Sequence, residues 1–398
     1  MKQIYIRFLS PALVVLFLLA ACSKDKGPEP TPAPEYLISS ENVTNVSAGD
    51  IKALDPQLAP FIANGVKVYR IVYKTDFPEG NEIQASGLII VPDNDKDQFT
   101  MLSFQHGTIT TQEEAPSAYQ PVGNMEAYLA GTVGAALAKP YLVVMPDYIG
   151  YGVSSDLAHP YIDKASLASA SLDMLRAAKE FAKANEINVK KEIRLLGYSE
   201  GGYATMALHQ AIQETAANEF TVEASYPGAG TYDVVGTAKW VLSQNTDMPA
   251  MAASFYMWTL LTYNQLYGIN APLTELLTPD NAVKVGAAIA SGNLLAADVS
   301  DNPAELFAPV FIQGILNETN APFMNALRAN NVYDWKPNSP VILFHSSGDD
   351  IVPVLNAENA ESAMKSKGAD VKFVSLGVYN HRQAIQLYIA AVLQELMK

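Results

Sequence analysis

The sequence predicts an α/β protein on a mainly parallel, eight-stranded sheet flanked by helices, with a helical insertion after the sixth strand. Three observations predict it. Short β-rich runs alternate with longer stretches of helical periodicity. The alternation lapses into apolar helical segments alone between Asp233 and about Lys336. A Gly197-Tyr198-Ser199-Glu200-Gly201 turn stands between a strand-like and a helix-like segment. The candidate strands are Lys67 to Tyr73, Ile83 to Val91, Thr100 to Gln105, Tyr141 to Met145, Glu192 to Leu196, Val222 to Tyr226, Val341 to His345 and Val371 to Leu376. Helical patterns cover Ala127 to Ala138, Lys164 to Ala184, Gly202 to Thr215, Ala357 to Lys367 and Gln383 to Met397.

The N-terminus is expected to lie outside this fold. Lys2 and Arg7 precede an apolar stretch from Ala12 to Leu19, too short to span a bilayer and ordered like a secretory signal. It closes on Leu19-Ala20-Ala21-Cys22, which resembles the bacterial lipobox, so residues 1–21 read as a lipoprotein signal and Cys22 as the lipidated residue. Acyl chains on that cysteine would anchor the chain to a membrane, each buried methylene adding ~0.8 kcal/mol. Ser23 after the cysteine favours, by resemblance, the outer membrane of a bacterial cell envelope, and Ser23-Lys24-Asp25-Lys26 looks like a surface-export signal. The proline alternation from Gly27 to Pro34 predicts an extended tether over residues 22–35. The main α/β domain is expected over residues 36–232 and 337–398, and a helical insertion over 233–336.

Composition removes several classes of function. Lys and Arg number 26 against 41 Asp and Glu, a formal net charge of −15 that repels phosphate backbones, so nucleic acid is not an expected partner. A single cysteine excludes an intramolecular disulfide and cysteine-based metal clusters. No phosphate-binding glycine loop, His-Glu-x-x-His or pair of histidines at ligand spacing occurs, so neither cofactor nor metal is expected. Asp93 to Asp97 resembles a calcium loop only until Gln98 and Phe104, which stand where glycine and a bidentate acid are needed. The sequence is silent on oligomeric state.

Ser199 is the candidate nucleophile. Ile193 to Leu196 reads as a buried strand before it and Gly202 onward as a helix after it, and small neighbours permit the sharp turn. A serine hydroxyl is a weak nucleophile, so a histidine must take its proton and a carboxylate must orient that histidine. There are five histidines. The chain order nucleophile, acid, histidine leaves His345 and His381, and only His381 has an acid between it and Ser199 in a strand-end loop. Ser346 to Pro353 supplies two acids: Asp349, in the register Asp, any residue, two aliphatics, proline, and Asp350 as the alternative. The oxyanion donors are expected to be the backbone N–H of Glu200 and, from the Phe104 to Thr108 loop, that of Thr108. His106 is read as a structural residue of that loop.

These residues resemble the secretory lipase, lipase A-like, family of α/β-hydrolases. The likeness runs through His106-Gly107-Thr108, the stretch Val143 to Gly152, the elbow with its following Gly202, and Gly230-Thr231-Tyr232-Asp233. It implies a helical lid over the site and hydrolysis of lipid or small-molecule carboxylic esters through an acyl-enzyme. Thr231 and Val234 depart from the family's usual form. The same triad could serve a peptidase or acyltransferase, and a binding lipoprotein on this scaffold is the non-catalytic alternative, whose sign would be a missing triad member.

Overall fold

The computed structural model describes residues 34–77, 80–94, 98–120 and 127–398. The signal, Cys22 and most of the tether lie outside the described residues, as do residues 95–97 of the calcium-like loop.

Among the described residues, nine strands form one sheet: β1 (Leu37–Val46), β2 (Gly65–Asp76), β3 (Glu82–Asp93), β4 (Phe99–Gln105), β5 (Tyr141–Pro146), β6 (Val189–Tyr198), β7 (Thr221–Gly228), β8 (Val341–His345) and β9 (Val371–Ser375). Their order is β1-β2-β3-β5-β4-β6-β7-β8-β9. The first three strands run antiparallel, β3 also pairs antiparallel with β5, and every pair from β5 to β9 is parallel. Eight strands match those expected. The additional one is β1, an edge strand of sequence LISSENVTNV whose side chains are all at least partly exposed, so no apolar alternation marks it. The Glu180 carboxylate steadies its start, accepting from the Glu35, Tyr36 and Leu37 amides at 2.7–3.0 Å.

The helices, in chain order, are α1 (Ala48–Leu54), α2 (Gly134–Ala136), α3 (Lys164–Ala184), α4 (Glu200–Thr215), α5 (Val234–Leu242), α6 (Ala252–Leu266), α7 (Leu273–Leu276), α8 (Pro279–Ala290), α9 (Pro303–Leu306), α10 (Pro309–Leu316), α11 (Ala321–Ala329), α12 (Leu355–Ser366) and α13 (His381–Met397). The helix expected over Ala127 to Ala138 is instead a wide π-helical turn, Ala127–Val133, followed by the single turn of α2. Gly131 explains the fit against the sheet: a Cβ there would lie 2.8 Å from Ile90 Cδ1 and 2.9 Å from Met145 Sδ.

Alternation along the central strands builds a core on each face of the sheet. Met101, Val144, Ile193 and Leu195 pack against α3 and α4, whereas Leu102, Phe104, Leu196 and Phe344 pack with Tyr388 and Val392 of α13. A third core joins the segments between β7 and β8, where α5 to α11 follow one another, to α12 and the start of α4. The Asp163 side chain caps α3 by accepting from the Ser166 amide at 2.9 Å, a contact that stabilises a helix by about 1 kcal/mol. It also accepts from the Tyr267 hydroxyl at 3.1 Å, joining α3 to α6. Among the described residues, no helix is long and apolar enough to cross a membrane.

Candidate active site

Ser199 sits between the end of β6 and the first residue of α4 with φ 59° and ψ −123°, a conformation that stores about 1–3 kcal/mol in a non-glycine residue. Close backbone packing holds it there. The Ser199 amide donates to the Gly228 carbonyl at 2.9 Å, and the Gly197 amide donates to the Tyr388 hydroxyl at 2.9 Å. A Cβ on Gly201 would lie 2.0 Å from the Gln105 carbonyl oxygen, and one on Gly202 would lie 2.2 Å from that of Gly228. The turn therefore requires glycine because α4 starts pressed between the ends of β4 and β7.

His381 is the first residue of α13. Asn380 caps that helix, accepting from the Gln383 amide at 2.9 Å while Gln383 returns the bond to the Asn380 amide at 3.3 Å. The Tyr198 hydroxyl donates to the His381 carbonyl at 2.8 Å, and Asp350 Oδ1 accepts from the His381 amide at 3.1 Å. So fixed, the imidazole places Nε2 2.9 Å from Ser199 Oγ and Nδ1 2.7 Å from Asp349 Oδ2. A carboxylate only accepts, so Nδ1 carries the proton and Nε2 is free to receive the serine's.

Asp349 lies in the β8–α12 loop with its side chain wholly buried. Its Oδ1 accepts from the Ile351 and Val352 amides at 3.0 and 2.8 Å. Burial opposes its ionisation, but the bonds from His345 and His381 outweigh burial and hold its pKa well below the usual carboxylate range. The structure thus brings Ser199, His381 and Asp349 into one hydrogen-bonded run and sets Asp350 on the histidine's backbone instead. His345, passed over as a base, stands behind the acid with Nε2 3.3 Å from Asp349 Oδ2 and 2.9 Å from the Val352 carbonyl. Sequence reasoning missed this second imidazole, whose only signal is its place four residues before Asp349.

Thr108 and Glu200 line the same cavity as Ser199 and His381. Neither backbone amide has a protein acceptor among the described residues. His106 is occupied elsewhere, with Nδ1 2.7 Å from the Gly107 carbonyl and Nε2 3.1 Å from that of Asp147. The cavity measures about 470 Å³ and runs from the serine into an apolar region walled by Phe255, Leu260, Phe307, Phe311, Phe323 and Leu327 of the inserted segment. Among the described residues, no group of three or more His, Cys, Asp or Glu side chains is placed to hold a metal ion.

Strand order, elbow and the serine-histidine-aspartate run define an α/β-hydrolase. The profile of the secretory lipase family matches residues 124–257. A secreted triacylglycerol lipase of Malassezia furfur is 23% identical over 333 residues, 78% of this chain and 66% of that enzyme, so the chain spans about two thirds of that relative's length. Among solved structures, a Legionella pneumophila protein assigned to the hydrolases superposes with a TM-score of 0.81 at 26% identity, covering 91% of this chain and 98% of its own. The rice cell wall degrading esterase LipA of Xanthomonas oryzae does so at 0.77 and 24%, covering 91% and 97%. Candida antarctica lipase A shares the fold at 0.64 and 18%, covering 88% and 78%. The chain has the α/β-hydrolase fold and is similar to lipases and esterases, a likeness that supports a carboxylic-ester hydrolase.

Proposed function

We propose that the protein hydrolyses carboxylic esters with an apolar acyl group, through an acyl-enzyme on Ser199. The observation that carries this reading is the hydrogen-bonded run from Ser199 Oγ through His381 to buried Asp349, opening onto an apolar cavity of about 470 Å³. That size suits a small ligand or part of a lipid. Ser199 Oγ attacks the ester carbonyl as its proton passes to His381 Nε2, and Asp349 keeps the ring oriented and stabilises the imidazolium. The amides of Glu200 and Thr108 receive the negative charge that develops on the carbonyl oxygen, worth about 10²–10³-fold in rate per donor. The imidazolium returns its proton to the departing alkoxide, and water then cleaves the acyl-enzyme by the same route.

In this reading residues 233–336 form a cap over a catalytic domain of residues 36–232 and 337–398, and the phenylalanines of the cap receive the acyl chain. The Malassezia relative is a triacylglycerol lipase and the Xanthomonas one degrades rice cell wall; long-chain glycerides and wall-bound esters are accordingly the two substrate groups to compare. The lipobox-like Leu19-Ala20-Ala21-Cys22 supports a lipid-anchored envelope location after removal of residues 1–21. Labelling of cells with radioactive palmitate should mark the wild-type chain and not Cys22→Ser.

The functional test is hydrolysis of p-nitrophenyl esters from acetate to palmitate by wild type and by Ser199→Ala, His381→Ala and Asp349→Ala. Each variant should lose about 10³-fold or more in kcat while keeping its fold. A wild type inert toward every chain length, or a Ser199→Ala variant that retains activity, would overturn the proposal.

A further inference from the structure

Two contacts outside the serine-histidine-aspartate run converge on the two amides assigned to the oxyanion. The Glu200 side chain, which belongs to the residue after the nucleophile, is buried, and its Oε1 lies 2.7 Å from His159 Nε2. His159 Nδ1 lies 2.7 Å from the Ile149 carbonyl, so that nitrogen carries a proton and the contact to Glu200 holds one more, whichever partner keeps it. Two residues further along the same loop, the Tyr161 hydroxyl meets Thr108 Oγ1 at 2.8 Å. Burial raises the Tyr161 pKa well above its ordinary value, so the phenol stays protonated and the contact is a neutral hydrogen bond.

The loop is itself held from the inserted segment. The Trp258 indole of α6 stacks on the Tyr161 ring at 4.4 Å and 9°, and meets the His159 ring edge-on at 5.5 Å. From the same helix, the Tyr263 hydroxyl donates to the Ile162 carbonyl at 2.7 Å. A buried imidazole-carboxylate pair and a buried phenol, two residues apart, thus grip one donor residue each, with one indole packed on both.

We propose that His159 and Tyr161 are positioning residues which together fix the Glu200 and Thr108 amides for the oxyanion, with Trp258 seating the loop that carries them. The proposal rests on the ester-hydrolase reading above. An amide shifted by a few tenths of an ångström still binds ground-state substrate, but it meets the shorter, charged oxygen of the tetrahedral intermediate poorly. The brace should therefore act on kcat and leave KM nearly unchanged.

The test uses the full chain with p-nitrophenyl butyrate as substrate and an alkyl trifluoromethyl ketone as oxyanion mimic. Tyr161→Phe keeps the stacked ring and removes only the bond to Thr108. We expect kcat to fall about tenfold, KM to stay within about twofold, and the ketone's Ki to rise by the same factor as kcat falls. Thr108→Val should match it, and the double variant should be no worse than either, because both delete one contact. His159→Phe, which cannot bond to Glu200, should give the same kcat-selective pattern, and Trp258→Leu a weaker one. Unchanged kcat in Tyr161→Phe, a loss lying wholly in KM, or losses that multiply in the double variant would overturn the brace while the parent reading stands. A wild type that cleaves no ester removes both together.

Discussion

His345 Nε2 lies 3.3 Å from Asp349 Oδ2, the carboxylate oxygen that also faces His381 Nδ1 at 2.7 Å. Since the Val352 carbonyl 2.9 Å away can only accept, His345 Nε2 carries its proton and shares it between that carbonyl and the acid. Asp349 is therefore held by two imidazoles and two amides, which favours its anion despite burial. Replacing His345 with Leu removes one of these donors and leaves the Val352 carbonyl unpaired. Stability in urea should drop by about 1–3 kcal/mol, with kcat/KM down several-fold, while His345→Gln, which can still donate, should recover most of both. A leucine variant as stable and active as wild type would show that this second imidazole is idle.

The two neighbouring acids have distinct work in this geometry. Asp349 faces the His381 ring, and Asp350 takes the His381 amide. Asp349→Asn keeps the shape but presents an N–H or a neutral oxygen to Nδ1, and should lower kcat by about 10³–10⁴-fold. Asp350→Ala leaves the ring's partner intact and frees one helix-terminal amide, so a loss of about tenfold or less is expected. If Asp350→Ala were the deeper lesion in a side-by-side kcat measurement, the acid would have to be reassigned.

Gly201 and Gly202 are fixed by neighbouring carbonyls. A methyl group on Gly201 would overlap the Gln105 carbonyl, and one on Gly202 that of Gly228, both backbone atoms that cannot swing away. Gly201→Ala and Gly202→Ala should each destabilise by at least about 3 kcal/mol, through overpacking and displacement of β4 or β7. Thermal melts read this directly, and either alanine variant melting within a degree or two of wild type would contradict it.

His209 gives a pH dependence of stability separate from catalysis. Its ring is buried between Ser225 Oγ at 2.9 Å and Ser339 Oγ at 3.0 Å, and burial lowers its pKa to about 3. In the unfolded chain the same ring titrates near pH 6.5, so between about pH 6.5 and 3 the unfolded state binds the extra proton. Falling pH therefore removes stability across that window, by up to about 1.4 kcal/mol per unit. The lowered pKa of Asp349 also removes stability on acidification, but in a window below about pH 4. Urea titrations at pH 7 and pH 5 should show a larger loss for wild type than for His209→Asn, and parallel losses would mean that the buried ring is not the source.

Much of this could be read from the residues because chemistry and periodicity agreed. The elbow needed its glycines, the strands before Ser199 and Asp349 were apolar runs, and only one histidine followed an acid in the required order. What stayed hidden depended on tertiary contact. The β1 edge has no buried residue and no apolar alternation, and the group that holds its start is Glu180, more than 140 residues away in sequence. The segment from Ala127 has helical composition, and its π-helical turn sets Gly131 close against Ile90 and Met145, residues outside its own pattern. No local sequence pattern links His159, Tyr161 and Trp258 to the residues around the nucleophile. Only the fold sets His159 against Glu200, Tyr161 against Thr108, and Trp258 on both rings.

Trapping of the acyl-enzyme tests the central claim most directly. Wild type mixed with p-nitrophenyl butyrate, quenched in acid within the first turnover and digested should yield the peptide bearing Ser199 heavier by one butyryl group, with p-nitrophenol released in equal amount. Ester hydrolysis that proceeds with Ser199 unmodified, and that survives in Ser199→Ala, would contradict the account.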